Sequence, residues 1–132
     1  MIWPWTYKPT GRSLYWWEIE PIIAPWKHPG LEIGSADKRY LLVDDPYKLI
    51  QKYRSRKRYI PEKRDCDDYV RILRGNLSEA GLGHVFCADC RVEHGGKAHS
   101  GAGFIGLDNR LHVWDVQRVE MMRQYKILGL WV

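Results

Sequence analysis

No stretch of the 132 residues approaches the roughly 18 consecutive apolar residues that a membrane-spanning helix requires, so no membrane-spanning helix is expected among them. The start, Met1-Ile2-Trp3-Pro4-Trp5, lacks a basic region followed by an apolar one, so nothing there marks a secretory leader. Cysteine is scarce and odd in number, at three, which argues against an oxidised disulfide framework. These absences together lead us to expect a soluble protein of the reducing cytoplasm. Internal repeats and low-complexity segments are also missing. Acid is thin in one region: between residues 51 and 64 the cations Lys52, Arg54, Arg56, Lys57, Arg58, Lys63 and Arg64 face only Glu62.

What is present is globular in character. A hydrophobic content of 45% over 132 residues suffices for one core without staples, so a single domain over 1–132 is expected. Five of the seven tryptophans fall within residues 1–38, with prolines at 4, 9, 21, 25 and 29. Proline interrupts helices and indoles carry large burial, so this part reads as an extended arm laid over the core. Trp16 and Trp17, with Trp114, are candidates to line a ligand groove.

Residues 39–75 read as a helical part. Asp44-Asp45-Pro46 is a helix start with an acidic cap and proline at the first position, opening a helix over 46–57. A second helix begins at Asp65 or Cys66, turns Cys66, Tyr69, Val70 and Leu73 inward, and stops at Gly75-Asn76. From 83 to 132 the pattern becomes a meander, with strands expected over 84–93, 97–106, 110–117 and 125–132. The fold class expected is α+β: an N-terminal helical half, with a nucleophile at a helix N-terminus, packed on a C-terminal antiparallel sheet.

Cys66 is the candidate nucleophile. The unpaired N–H groups of a helix's first turn favour an anion, and a thiolate is a nucleophile that needs an imidazole and an orienting third group. His99 and Asp115 supply them. Strand alternation puts Asp115 on the largely apolar face with Leu111 and Val113, where a carboxylate needs a partner. With three loop residues, 107–109, His99 lies opposite Gln117 and diagonal to Asp115; with five it faces Asp115 directly; an even loop substitutes the face of His112.

Asp65-Cys66-Asp67-Asp68-Tyr69 opening a helix that ends in Leu73-Arg74-Gly75, then His99, then Trp114-Asp115-Val116-Gln117, resembles the papain-like and transglutaminase-like cysteine peptidase superfamily. It is similar to the cysteine-protease-like domain of certain fungal agglutinins. The segment His99 to Gly106 is similar to the NlpC/P60-type peptidases, where His112 would be the third member. The resemblance implies a papain-like fold and a thiol peptidase or amidase. Cys66 would attack an amide carbonyl of a peptide or protein substrate, His99 would shuttle the proton and Asp115 would hold the imidazole. No cofactor is implied, although the agglutinin relatives raise calcium at Asp67 and Asp68.

Other chemistries remain open on the residues themselves. His84, Cys87, Cys90 and His94 have the spacing of a small zinc knuckle, but a strand there would point Cys87 and Cys90 to opposite faces. The formal charge of +5 and the basic patch over 52–64 suit phosphate, with Arg54, Arg56, Lys57 and Arg58 as candidate nucleic-acid contacts. The alternative to an enzyme is therefore a non-enzymatic basic binding module, either an inactive papain-like fold or a nucleic-acid binder with a zinc site.

Overall fold

A computed structural model describes residues 12–24, 39–57 and 66–132. Its organising layer is a five-stranded antiparallel sheet built from β3 (Ala88–His94), β4 (Lys97–Ile105), β5 (Leu111–Asp115), β6 (Glu120–Met121) and β7 (Lys126–Trp131). The strand order is β6-β5-β4-β3-β7. Four strands follow as a meander, but β7 crosses back to pair with β3, which the expected simple meander did not include.

The expected helical half is corrected. The N-terminal region instead holds a two-stranded antiparallel sheet, β1 (Ser13–Tyr15) with β2 (Arg39–Leu41), and helices α1 (Trp16–Ile23) and α2 (Pro46–Tyr53) of eight residues each. Only α3 (Cys66–Glu79), at 14 residues, is a helix of ordinary length. Strands therefore carry the architecture, and the three helices decorate both faces of the large sheet. The reason is packing: α2 and α3 bury Leu49, Ile50, Tyr69, Val70, Leu73 and Leu77 against Ala102 and Phe104. On the other face Ile19 and Ile23 of α1, with Tyr40 and Leu42, cover Ala88, Cys90, Val92, Leu111 and Val113. A two-sided sheet needs cover on both faces, and short elements suffice to give it.

Helix α1 overturns the reading of its segment as extended. Pro21 lies inside it, forfeiting one backbone bond, yet Ile19 and Ile23 stand one turn apart and are fully buried, so tertiary packing outweighs local preference. The Glu18 carboxylate accepts the Tyr15 N–H at 2.9 Å and closes the first turn. Trp3, Trp5 and Trp26, expected in the same arm, lie outside the described residues.

Helix α2 starts where expected, with the Asp45 carboxylate accepting the Lys48 N–H at 3.1 Å and Pro46 at the first position, but ends at Tyr53 rather than 57. Helix α3 passes straight through Gly75-Asn76. Its stop is Gly81, in the left-handed region at φ 78°, with Leu82 N–H donating to the Leu77 carbonyl at 2.8 Å and Gly81 N–H to Ser78 at 3.1 Å. That is a Schellman closure, in which Leu82 and Leu77 also meet in the core.

The turns of the large sheet set its register. Gly95 and Gly96 both have positive φ, as a two-residue hairpin of the twist-matching type requires. Between β4 and β5, Gly106 N–H donates to the Arg110 carbonyl at 3.0 Å, so the loop proper is Leu107-Asp108-Asn109, three residues, with Asn109 at φ 57°. Asn tolerates that conformation better than branched residues do. Among the described residues no helix is long and apolar enough to cross a membrane.

Candidate functional site

Strand β5 pairs with β4 only from Ala102 to Ile105, so before Ala102 the side of β4 away from β3 has no ladder partner. The first turn of α3 occupies that place. Ser100 N–H donates to Cys66 Sγ at 3.3 Å, which ties the half-buried thiol to the open edge. The pairs Ala102–Trp114 to Ile105–Leu111, carried three residues further, set His99 opposite Gln117 and diagonal to Asp115. The three-residue loop thus delivers the odd register, and Cys66, His99 and Asp115 line one groove of about 980 Å³.

The geometry within the groove differs from the expected relay. Among the described residues no hydrogen bond joins His99 to Cys66 or to Asp115. Asp115 Oδ1 accepts the Arg118 N–H at 3.1 Å, closing the turn from β5 into β6. That carboxylate needed a partner, and a backbone amide three residues on is nearer than an imidazole on another strand. His99 instead stands edge-on to His94, ring centroids 6.1 Å apart.

Further lining residues came from a segment that periodicity did not resolve. Lys97, Gln117, Arg118, Glu120, Met121, Met122 and Arg123 surround the three. Between the strands expected over 110–117 and 125–132 the structure adds β6, paired through Trp114–Met121 and Asp115–Glu120. Its hairpin depends on Val119 at φ 55°, a conformation that a β-branched residue rarely adopts and that no sequence rule anticipates. An aspartate ending a strand three residues before an amide it can cap was the one available signal.

The remaining candidates are dispersed. His112 pairs with Asp108 through Nε2 at 2.8 and 3.0 Å and does not line the Cys66 groove. Against a desolvation that pushes it up, the Arg110 N–H and the His112 imidazole hold the Asp108 carboxyl below its usual range. Trp114 packs on the helix-side core, Trp16 tilts against Tyr40, and Trp17 is 63% exposed and stacks on Tyr15 at 4.5 Å; none lines the groove.

Cys87 lies in the helix-side core and Cys90 in the opposite one, while His84 and His94 are exposed, so the zinc set is not assembled. Among the described residues no group of three or more His, Cys, Asp or Glu is placed to hold a metal ion. Asp67 and Asp68, the calcium candidates, instead meet Arg71 at 3.4 and 2.7 Å. Burial pushes the Cys87 thiol up to about 12 and Cys90 well above its ordinary value, so both are poor nucleophiles. Burial also raises Asp89, with Arg74 opposing.

Two arginines of the basic patch, Arg54 and Arg56, are drawn into the protein's own structure. Arg54 donates to the Gln117 carbonyl at 2.7 Å and Arg56 to the Gln51 carbonyl at 3.0 Å, and the Lys57 carbonyl accepts the Tyr69 hydroxyl at 2.6 Å. Arg58 lies outside the described residues. The expectation of a nucleic-acid partner, with Arg54, Arg56, Lys57 and Arg58 as its contacts, is corrected by the comparisons that follow.

No family model and no curated protein sequence matches the chain. Solved structures do. A PSL1a–E64 complex superposes with a TM-score of 0.75 at 14% identity, covering 91% of this chain and 51% of that one. Polyporus squamosus lectin, bound to the human-type influenza-binding epitope Neu5Aca2-6Galb1-4GlcNAc, superposes at 0.71 and 15% identity, covering 91% and 49%. The chain thus spans about half the length of these structures, and at such identities the likeness concerns the fold. It corrects the expected kinship with papain-like, transglutaminase-like and NlpC/P60-type peptidases, and with it the cysteine hydrolase acting on a peptide or protein. The shared fold is that of about half of each of these structures, one of them a lectin, and among the described residues no hydrogen bond links Cys66, His99 and Asp115.

Proposed function

We propose that the chain is a non-enzymatic binding domain for a polar, glycan-like ligand, seated in the groove where Cys66, His99 and Asp115 meet. The observation that carries this reading is the groove's lining. Donors and acceptors both line an open cleft of about 980 Å³: Lys97, His99, Gln117 and Arg118 can donate, and Asp115 and Glu120 accept. A polyhydroxylated ligand asks for that mixture. A sialylated one adds a carboxylate, for which Lys97 and Arg118 are placed at the rim. The lectin that shares this fold is bound to such a glycan.

A second reading is favoured by one atom. Cys66 Sγ is half-buried, held by the Ser100 N–H, and lies in the groove, so a small ligand can be captured through the thiol itself. One neighbour in the shared fold is a complex with E64. The three cysteines are free, and with Cys87 and Cys90 on opposite faces of the sheet this supports a reducing, cytoplasmic setting.

The test is a titration of Neu5Aca2-6Galb1-4GlcNAc and of its unsialylated disaccharide, followed by amide shifts, with intact-mass measurement after incubation with E64. The first reading expects saturable shifts at His99, Ser100 and Gln117 that weaken about tenfold in Lys97→Gln or Arg118→Gln, and it fails if millimolar trisaccharide moves none of them. A mass increase on E64 that Cys66→Ser abolishes, with no glycan shifts, puts the second reading in its place.

A further inference from the structure

On the far side of β6 a second groove opens between α1 and the β5–β6 hairpin, with a volume of about 730 Å³. Its walls are mostly apolar, with Asn109 and His112 as further polar lining residues. Ile22 from α1, Leu111 from β5, Met121, Met122 and Tyr125 line it, and Met121 is 40% exposed. Two methionines side by side make a surface that adapts to an irregular apolar shape, because the thioether chain is unbranched and polarisable.

The mouth of this groove has one sign of charge. Arg110 and Arg123 line it, and neither guanidinium has a hydrogen-bond or ion-pair partner among the described residues. No carboxylate belongs to the described lining; the nearby acid, Asp108, is engaged by His112 and by the Arg110 backbone N–H. Two unpartnered cations at the rim of an apolar trough complement a ligand with a hydrocarbon body and one anionic end.

We propose that this groove binds a free acyl carboxylate, its chain along Met121, Met122 and Ile22 and its head group between Arg110 and Arg123. A concave trough takes a single chain, whereas a bilayer surface is met by a protruding apolar face, so the free acid rather than a membrane is the occupant. The site does not depend on the ligand of the Cys66 groove. It shares a wall with it, since Met121, Met122 and Arg123 line both, but Arg110 lines this groove alone.

The experiment uses the full chain and alkyl probes below their micelle-forming concentrations, followed by calorimetry. Octanoate, decanoate and dodecanoate are expected to bind with Kd tightening roughly fourfold per methylene, the increment for burying each group. Dodecanol should bind about tenfold more weakly than dodecanoate in the wild type. In Arg110→Gln and in the Arg110→Gln/Arg123→Gln pair, both exposed substitutions, that difference should shrink stepwise to none, while Met121→Gln weakens acid and alcohol alike. Equal affinity for acid and alcohol in the wild type, affinity independent of chain length, or binding to phosphatidylglycerol vesicles without binding to dodecanoate would each overturn the proposal.

Discussion

Gly101 and Gly75 make a matched pair for a single perturbation, glycine to alanine. At Gly101, which the β4–β5 register sets opposite Asp115, an added Cβ would stand 2.7 Å from the Trp114 carbonyl oxygen and 2.7 Å from Val113 Cγ1. Real Cβ atoms do not approach so closely, and the carbonyl is part of the sheet, so it cannot rotate away. Overpacking of this kind costs about 1–3 kcal/mol, and the reduced entropy of the unfolded chain returns about 0.4–1 kcal/mol of it. The net expected is a loss of about 1–2 kcal/mol. At Gly75, within α3, nothing lies within 4 Å of the same Cβ, and φ is not positive. There alanine gains the helix preference it holds over glycine, about 1 kcal/mol.

The two substitutions should therefore move stability in opposite directions, by about 2–3 kcal/mol between them. For 132 residues this is a fall of roughly 3–10 °C in Tm for Gly101→Ala and a rise of roughly 3–5 °C for Gly75→Ala. Urea unfolding followed by circular dichroism, with thermal scans checked for reversibility, measures both. A Gly101→Ala variant within about 0.5 kcal/mol of wild type would show that β5 does not press on β4 at the groove. Destabilisation by Gly75→Ala would show that α3 ends at Gly75 in a left-handed turn, and would refute the continuous helix that carries Cys66.

Two further outcomes follow from the buried thiols and the helix caps. Cys87 is held as a neutral thiol up to about 12, whereas the unfolded chain releases that proton near 9, so its contribution to stability is whole below about 9 and is lost as pH rises toward 12. Tm measured from pH 8 to 11 should fall more steeply in the wild type than in Cys87→Ala, and parallel curves would contradict the burial. Asp45→Ala removes the acceptor for the Lys48 N–H and should cost about 1 kcal/mol in urea unfolding, with no loss if α2 is held by packing alone.

Local chemistry was legible wherever a residue's own backbone preference decided the outcome. Asp45-Pro46 announced α2, Gly95-Gly96 announced the β3–β4 hairpin, and alternation in Leu111 to Asp115 placed Leu111 and Val113 on one face and Trp114 on the other. Even the odd loop that brings His99 and Asp115 to one groove was among the registers the sequence allowed. Where neighbours distant in the chain decided, local signals misled. Pro21 did not break α1, because Ile19 and Ile23 bury against the sheet, and Gly75 did not stop α3, because its remaining apolar positions continue to Leu77 and the Gly81 turn.

By itself, then, the sequence determined the caps, the glycine turns, the alternation of strand faces and the meeting of Cys66, His99 and Asp115 in one groove as a possibility. Only the tertiary structure decided which possibility held, and with what partners. Asp115 caps the Arg118 amide instead of orienting His99, and Cys66 takes the Ser100 N–H on a sheet edge that β5 leaves open. The physical reason is one of range. A cap or a turn satisfies hydrogen bonds within a few residues, so its signal is local; the crossing of β7 to β3, the two-sided burial of the sheet and the left-handed Val119 that builds β6 each depend on contacts made between distant segments.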